Sequence, residues 1–84
     1  MKKNEIERKI FYIVLNEVKS KAKFITINTN VREFGWSSID IIEVILALEA
    51  AFKINITSDE EIDSILNSGT IDNLIDYIYK RMEK

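Results

Sequence analysis

Apolar residues recur at helical spacing in three long segments of this chain, and that periodicity constrains the fold more than any other feature. The segments cover about residues 4–19, residues 38–53 and the stretch that follows Gly69. In each segment the apolar positions fall on one face of a helix. Proline is absent, and the two glycines, Gly35 and Gly69, each precede a periodic segment, where breaks between helices are expected. The pattern therefore predicts three long helices.

The core faces predicted for these helices are almost entirely aliphatic. On the first helix the face consists of Ile6, Ile10, Ile13, Val14 and Val18. On the second it consists of Ile41, Val44, Ile45, Leu48 and Phe52, and on the third of Ile71, Leu74, Ile75, Ile78 and Met82. A capping-box pattern from Ser58 to Glu61 predicts a fourth, short helix between the last two. Its buried face would be Ile62, Ile65 and Leu66.

The connection over residues 20–36 is long for so small a domain, and it carries several apolar residues. They are Phe24, Ile25, Ile27, Val31 and Phe34. We therefore expect this connection to pack against the core. Residues 24–27 and 54–57 partly alternate, but a two-stranded ribbon is only a minor alternative because an isolated strand pair is marginal in water. Long helices joined by one long loop favour an all-α fold, a small four-helix bundle formed by residues 1–84 as a single domain.

The composition excludes several classes of function. The chain has no cysteine and no histidine, which removes disulfides, thiolate metal sites, the usual general base and the commonest metal ligand. We therefore expect neither a metal site nor an autonomous enzyme. A net charge of −2, from 12 basic and 14 acidic residues, argues against nucleic acid as the main partner. The basic clusters at Lys2-Lys3 and within residues 19–23 fit solvated helix ends better.

Nothing in the sequence points to a membrane. The first residues are charged, and no apolar run approaches the length of a membrane-spanning helix. We accordingly expect no membrane insertion and a cytoplasmic location. We also expect a monomer.

The second helix has an apolar face that its own core cannot use. At about 100° per residue, Ile39, Ile42 and Leu46 fall opposite the predicted core face, beside Glu43 and Glu49. A helix this short in so small a domain cannot bury both faces. The second face therefore predicts contact with a partner or a ligand. The alternative is a scatter of exposed aliphatic side chains without a function.

Two adjacent serines stand at the start of this helix, and either can begin it. If Ser37 is the N-cap, Asp40 lies three residues further on and the hydroxyl of Ser38 remains free. Ser38 could also be an N-terminal helix residue with no further role. The sequence leaves both interpretations open.

Residues 34–52 resemble the signature of the acyl carrier protein family, in which a glycine is followed by Asp-Ser-Leu and an acidic, aliphatic helix. The matching positions are Gly35, Ser38, Asp40, Glu43, Ala47, Leu48, Glu49 and Phe52, with Ile39 in place of the family's leucine. An amphipathic first helix, a long loop and a closing helix extend the resemblance over the whole chain.

This resemblance implies a four-helix bundle that is not itself an enzyme. A separate phosphopantetheinyl transferase would attach 4′-phosphopantetheine covalently to Ser38, and acyl-loading and acyl-processing enzymes would handle acyl groups on the arm as thioesters. Unpaired N–H groups and the helix dipole at this helix start would each stabilise the phosphodiester by about 0.3–1 kcal/mol. The partner-binding residues would be Ile39, Asp40, Ile42, Glu43, Leu46 and Glu49.

The chain departs from the family's pattern in ways that reduce its acidity. Ser37 stands where the family has an aspartate, Ala50 and Ala51 stand where it has glutamates, and Lys53 follows them. These differences indicate a divergent or specialised carrier. Such a carrier would hold acyl intermediates for fatty acid biosynthesis or for a dedicated polyketide- or peptide-like pathway. The alternative is a carrier with the same fold whose cargo is aminoacyl or peptidyl.

Two other classes of function remain as alternatives. One is a non-covalent helical adaptor that keeps this fold and docks through Ile39, Ile42 and Leu46. The other is an enzyme that relies on Asp40 and Glu43, which lie three residues apart on one helix. We disfavour the enzyme because acidic pairs on an exposed helix face are usually only solvated.

Overall fold

The computed structural model describes residues 2–18, 25–57 and 59–82. In chain order its elements are α1 (Lys3–Val18), a 3₁₀ turn (Val31–Phe34), α2 (Ser38–Phe52), α3 (Glu60–Ser68) and α4 (Ile71–Met82). The predicted all-α fold of three long helices and one short helix is confirmed. No strand forms in the described residues, so the alternative ribbon is wrong for residues 25–27 and 54–57; one isolated antiparallel bridge joins Asn30 to Thr70 instead. Phe24, residues 19–23, Ser58 and the side chain of Val18 lie outside the described part.

The core lies where α1 packs against α2 and α4, and α3 closes it against the 3₁₀ turn and α4. The buried side chains are Ile6, Ile10, Ile13, Val14, Val31, Phe34, Val44, Ile45, Leu48, Phe52, Ile56, Ile62, Leu66, Ile71, Leu74, Ile75, Tyr77 and Ile78. Most of the predicted core positions are therefore confirmed. Ile41, Ile65 and Met82 are corrections, because they are only half-buried at the edge of the core. Over the described ranges, no helix is long and apolar enough to cross a membrane.

The connection before α2 is fastened to the corner between α3 and α4 by backbone hydrogen bonds. The Val31 N–H donates to the Gly69 carbonyl (2.9 Å), and the Asp72 N–H donates to the Ile27 carbonyl (2.8 Å). Val31 and Phe34 are buried, which confirms that this part of the connection packs against the core. The side chain of Ile27 is exposed, so the expectation of packing is wrong there: this residue contributes its carbonyl to the corner.

The 3₁₀ turn leads the chain into α2, and a defined structure stabilises each of its two ends. At its start, the Asn30 side chain accepts from the Arg32 N–H (2.9 Å), and Glu33 accepts from the Asn30 N–H (3.1 Å), which is a capping box. At its end, Gly35 takes a left-handed conformation with φ 65°, which glycine adopts at little cost. This turn fixes where α2 begins.

The start of α3 is tied to α4 through one carboxylate. Asp59 is the N-cap and accepts from the Glu61 N–H (2.9 Å), so the expected capping box starting at Ser58 is corrected to a cap one residue later. The Oδ2 atom of Asp59 also accepts from the Tyr77 hydroxyl (2.5 Å) and the Arg81 guanidinium (2.7 Å). These contacts, the tyrosine hydrogen bond first, lower the pKa of Asp59 below its ordinary value.

This lowered pKa predicts a loss of stability in acid. The ionised Asp59 stabilises the fold fully above its ordinary pKa of 3.8, and that contribution disappears as the pH falls through the lower folded-state pKa. We expect Asp59→Asn to lose less free energy of unfolding than the wild type between about pH 6 and about pH 3, because asparagine caps helices but does not titrate. Urea melts of both proteins at the two pH values measure this difference. Equal losses would contradict the role assigned to Asp59.

Candidate functional site

The first turn of α2 is built on a capping box. Ser37 is the N-cap; its hydroxyl oxygen accepts from the Asp40 N–H (3.2 Å), while the Asp40 carboxylate accepts from the Ser37 N–H (2.9 Å). Both bonds close within four residues, so the local sequence is sufficient to form them. Of the two interpretations that the sequence left open, the structure therefore selects Ser37 as the cap.

Ser38 is the first helical residue, and its side chain is exposed. Its hydroxyl makes no hydrogen bond to any described residue, because Ser37 supplies the cap. The first bond along the helix joins the Ile41 N–H to the Ser37 carbonyl (3.0 Å), so the N–H groups of Ser38 and Ile39 precede the bonded ladder. An exposed hydroxyl thus lies beside two helix-start N–H groups at the positive end of the dipole. A phosphodiester on this oxygen fits the site.

The two faces predicted for α2 are confirmed except at Ile41, which is only half-buried. Leu48 is completely buried on the core side, whereas Ile39, Ile42 and Leu46 are 68%, 55% and 55% exposed on the other. Glu43 lies on the exposed side with them. An apolar strip of this kind on an otherwise charged surface is typical of an interaction site, and it begins next to Ser38.

Glu49 lies on the same side of α2 as this strip, seven residues after Ile42, but it is half-buried and its carboxylate has partners inside the chain. Its Oε2 atom accepts from the Ile56 N–H (2.7 Å), the Thr57 N–H (3.0 Å) and the Thr57 hydroxyl (2.7 Å). These bonds, the one from Ile56 first, lower the pKa of the Glu49 carboxyl. Lys53 ends α2 in a left-handed conformation with φ 55°, which turns the following residues back toward the Glu49 carboxylate. Glu49 therefore fastens the loop after α2, a role that the sequence did not reveal.

The structure also shows where the residues that depart from the family pattern lie. Ala50 and Lys53 are exposed, and Ala51 is half-buried where α2 approaches α1. Asp40 is half-buried in the capping box, and Glu43 is exposed one turn further on. No group of three acidic side chains among the described residues comes close enough to hold a metal ion.

Comparison with known proteins agrees with this geometry. The family model described as "Phosphopantetheine attachment site" matches residues 13–78, which include Ser38 and all of α2 and α3. The acyl carrier protein of Syntrophobacter fumaroxidans is 36% identical over 73 residues, which cover 86% of this chain and 85% of that protein. The acyl carrier protein of Buchnera aphidicola subsp. Schizaphis graminum is 33% identical over 82 residues, which cover 96% and 99% of the two chains.

A third relative extends the same pattern. The acyl carrier protein of Amoebophilus asiaticus is 29% identical over 80 residues, with 94% and 95% coverage. No solved structure matches the chain at a significant level. Since the family model matches residues 13–78 and the relatives span most of the chain, this chain belongs to the acyl carrier protein family, whose members bear covalent 4′-phosphopantetheine and act as carriers rather than enzymes.

Proposed function

We propose that this protein carries acyl intermediates on a 4′-phosphopantetheine arm attached to Ser38. The observation that supports this most directly is that only one of the two adjacent serines is used to cap the helix. Ser37 caps α2, so the hydroxyl of Ser38 is left exposed and without a hydrogen bond to the described residues. Ser38 also occupies the position of the modified serine in the family's pattern.

Attachment would proceed by phosphoryl transfer from coenzyme A. The Ser38 oxygen forms a bond to the phosphorus that bears the pantetheine, and the bond from that phosphorus to adenosine 3′,5′-bisphosphate breaks. The hydroxyl proton passes to a base of the phosphopantetheinyl transferase. When bound, the arm supplies a terminal thiol on which acyl groups are held as thioesters.

The residues around Ser38 hold the attachment point in place. The bonds between Ser37 and Asp40 fix the first turn of α2, so that the Ser38 oxygen projects from a rigid element. The N–H groups of Ser38 and Ile39 and the helix dipole favour the negative charge of the phosphodiester. The chain itself thus provides position and charge stabilisation, while its partners provide the chemistry.

The exposed strip of α2 would receive the partner enzymes. Ile39, Ile42 and Leu46 supply apolar area, and Glu43 supplies charge beside them. We leave Glu49 out of this surface because its carboxylate binds the loop after α2. The transferase and the acyl-loading and acyl-processing enzymes must all reach Ser38, and this strip is the surface next to it.

The pathway that we favour is a specialised one rather than general fatty acid synthesis. Ala50 is exposed where a glutamate would add charge, and Lys53 is exposed just beyond it. Partners that recognise an evenly acidic helix would therefore find less charge at the C-terminal end of α2. A polyketide- or peptide-like pathway with a dedicated set of enzymes fits such a surface.

Intact-mass measurement tests the carrier function. The wild-type protein is incubated with coenzyme A and a phosphopantetheinyl transferase of broad specificity, with a matched sample that lacks coenzyme A. We expect the mass to rise by one phosphopantetheinyl group, and the modified protein to become acylated on the new thiol in a second step. A protein that is folded but gains no mass would instead support a non-covalent adaptor.

A further inference from the structure

An open groove lies between α1 and the C-terminal end of α2, at the end of α2 remote from Ser38. Its volume is about 370 Å³, and it is lined by Arg8, Lys9, Tyr12, Ile13 and Ala51. Ile13 and Ala51 make part of its surface apolar, and Tyr12 is 70% exposed at its edge. The groove is therefore a second apolar feature on the side of the molecule where α1 and α2 meet.

The charges around this groove are positive. Arg8, Lys9 and Lys53 are exposed, and the Lys9 ammonium lies 5.8 Å from the ring centroid of Phe52, the residue before Lys53. None of the three cations forms an ion pair with a carboxylate of the described residues. Arg8 and Lys9 line the groove itself; Lys53 lies beyond it at the end of α2, and Glu5 lies one turn before Lys9 on α1. The positive charge at this end is thus open to a partner.

The opposite end of α2 is negative. Glu43 lies exposed in its second turn, ten residues before Lys53, whereas the Asp40 carboxylate in the first turn is engaged in the capping box with Ser37. At 1.5 Å per residue, this separation is about 15 Å along the helix. It exceeds the Debye length of about 8 Å at physiological ionic strength, so the two ends present separate charges rather than cancelling. Between them, Leu46 and Ala50 continue the exposed apolar strip.

We infer that this bipolar surface, negative near the start of α2 and positive near its end, is a docking site for a partner protein. The partner's own surface would carry positive charge at the first end and negative charge at the second. The partner would carry a cationic side chain opposite Glu43, and carboxylates opposite Arg8, Lys9 and Lys53. An apolar side chain of the partner would enter the groove beside Ala51. This inference rests on the proposed function, since it describes the enzymes that approach Ser38.

The physical consequence is a fixed orientation of docking. A partner in the matching orientation pairs opposite charges at both ends, whereas a partner turned end over end meets like charges at both. Exposed charge pairs are individually weak, so two or three of them favour one orientation by roughly fivefold at low salt. Because Ser38 lies at the negative end, the favoured orientation also decides which part of the partner meets the arm.

Two synthetic helical peptides of about 18 residues serve as probes for this surface. Both have leucines along one face; one carries lysines in its first two turns and glutamates in its last two, and the other has these charges exchanged. Each carries a nitroxide label on its lysine-bearing end, and binding to the full-length protein is followed by NMR. We expect both labels to broaden the amide signals near Glu43 and to leave those near Lys9 sharp.

Charge substitutions give the quantitative test. Lys9→Glu reverses one of these charges and should weaken binding of both peptides by roughly twofold at low salt, and the effect should shrink at high salt. Lys80→Glu changes the net charge equally but lies on α4, away from the groove, and should bind as the wild type does. Thermal melts establish that both variants are folded.

Three results would overturn the inference. The first is equal broadening of the amide signals near Glu43 and near Lys9, and the second is an equal effect of Lys9→Glu and Lys80→Glu on binding. The third is a dimer of the protein alone that Lys9→Glu abolishes. The last result would mean that a second copy of this chain covers the surface. The mass gain at Ser38 is measured on the same preparations. Normal loading without oriented binding contradicts only the bipolar surface, whereas oriented binding without loading contradicts only the attachment site.

Discussion

The Ser38→Ala variant should gain no phosphopantetheine, while Ser37→Ala should still be modified. Ser38 carries the exposed hydroxyl at the first position of α2, whereas the Ser37 hydroxyl already accepts the hydrogen bond from the Asp40 N–H. Alanine at position 38 removes the attachment oxygen and takes no cap away from the helix. We therefore expect complete loss of the mass gain in a protein that is as stable as the wild type.

The Ser37→Ala variant is the matched control, since it removes the neighbouring hydroxyl. It loses an N-cap, which costs about 1 kcal/mol of stability. Circular dichroism should show that it remains folded, and its loading should reach completion, at a lower rate if the first turn of α2 frays. Both variants are incubated with the transferase and coenzyme A, and intact masses are read over time. Mass gain by Ser38→Ala, or none by a folded Ser37→Ala, would refute the assignment.

A second large effect is expected from Leu48→Ala. The Leu48 side chain is completely buried in the middle of α2, so truncation leaves a cavity in the core. Substitutions of this kind cost about 2–5 kcal/mol. Because small domains are stable by only about 5–15 kcal/mol, this loss is a large fraction of the total.

Leu46→Ala is the control for the opposite face of the same helix. Leu46 is 55% exposed, and its replacement should cost under about 1 kcal/mol, as is usual for surface positions. Chemical denaturation of the two variants measures both losses. Similar losses from Leu46 and Leu48 would mean that α2 does not bury the face described here.

The exposed face of α2 and its acidic and basic ends lead to one view of how this carrier is recognised. Apolar contacts by Ile39, Ile42 and Leu46 would provide most of the affinity, since they bury area that water otherwise covers. Charges at the two ends would add mainly orientation and association rate, and these contributions are screened by salt. Recognition would therefore depend on the partner's shape and on where its charges lie more than on its total charge.

The helices and the two faces of α2 were predictable from the sequence alone. The apolar periodicity placed the second helix at residues 38–53, and the structure has it at Ser38–Phe52. The capping box of Ser37 and Asp40 was likewise visible as an option, because its two bonds join residues only three apart. Helical geometry then decides which side chains share a face, and because so small a domain cannot bury both faces, the exposure of Ile39 and Leu46 could be predicted.

The contacts that the sequence did not reveal join residues that are distant along the chain or separated by a turn. Glu49 matched the family's acidic pattern, but its carboxylate binds Thr57, which depends on the left-handed turn at Lys53. Asp59 reaches Arg81 across the gap between two helices, 22 residues away. Periodicity describes each helix by itself and carries no information on how helices meet. The local sequence thus determined the helices, the cap and the faces of α2, and only tertiary packing decided which polar side chains are used inside the fold.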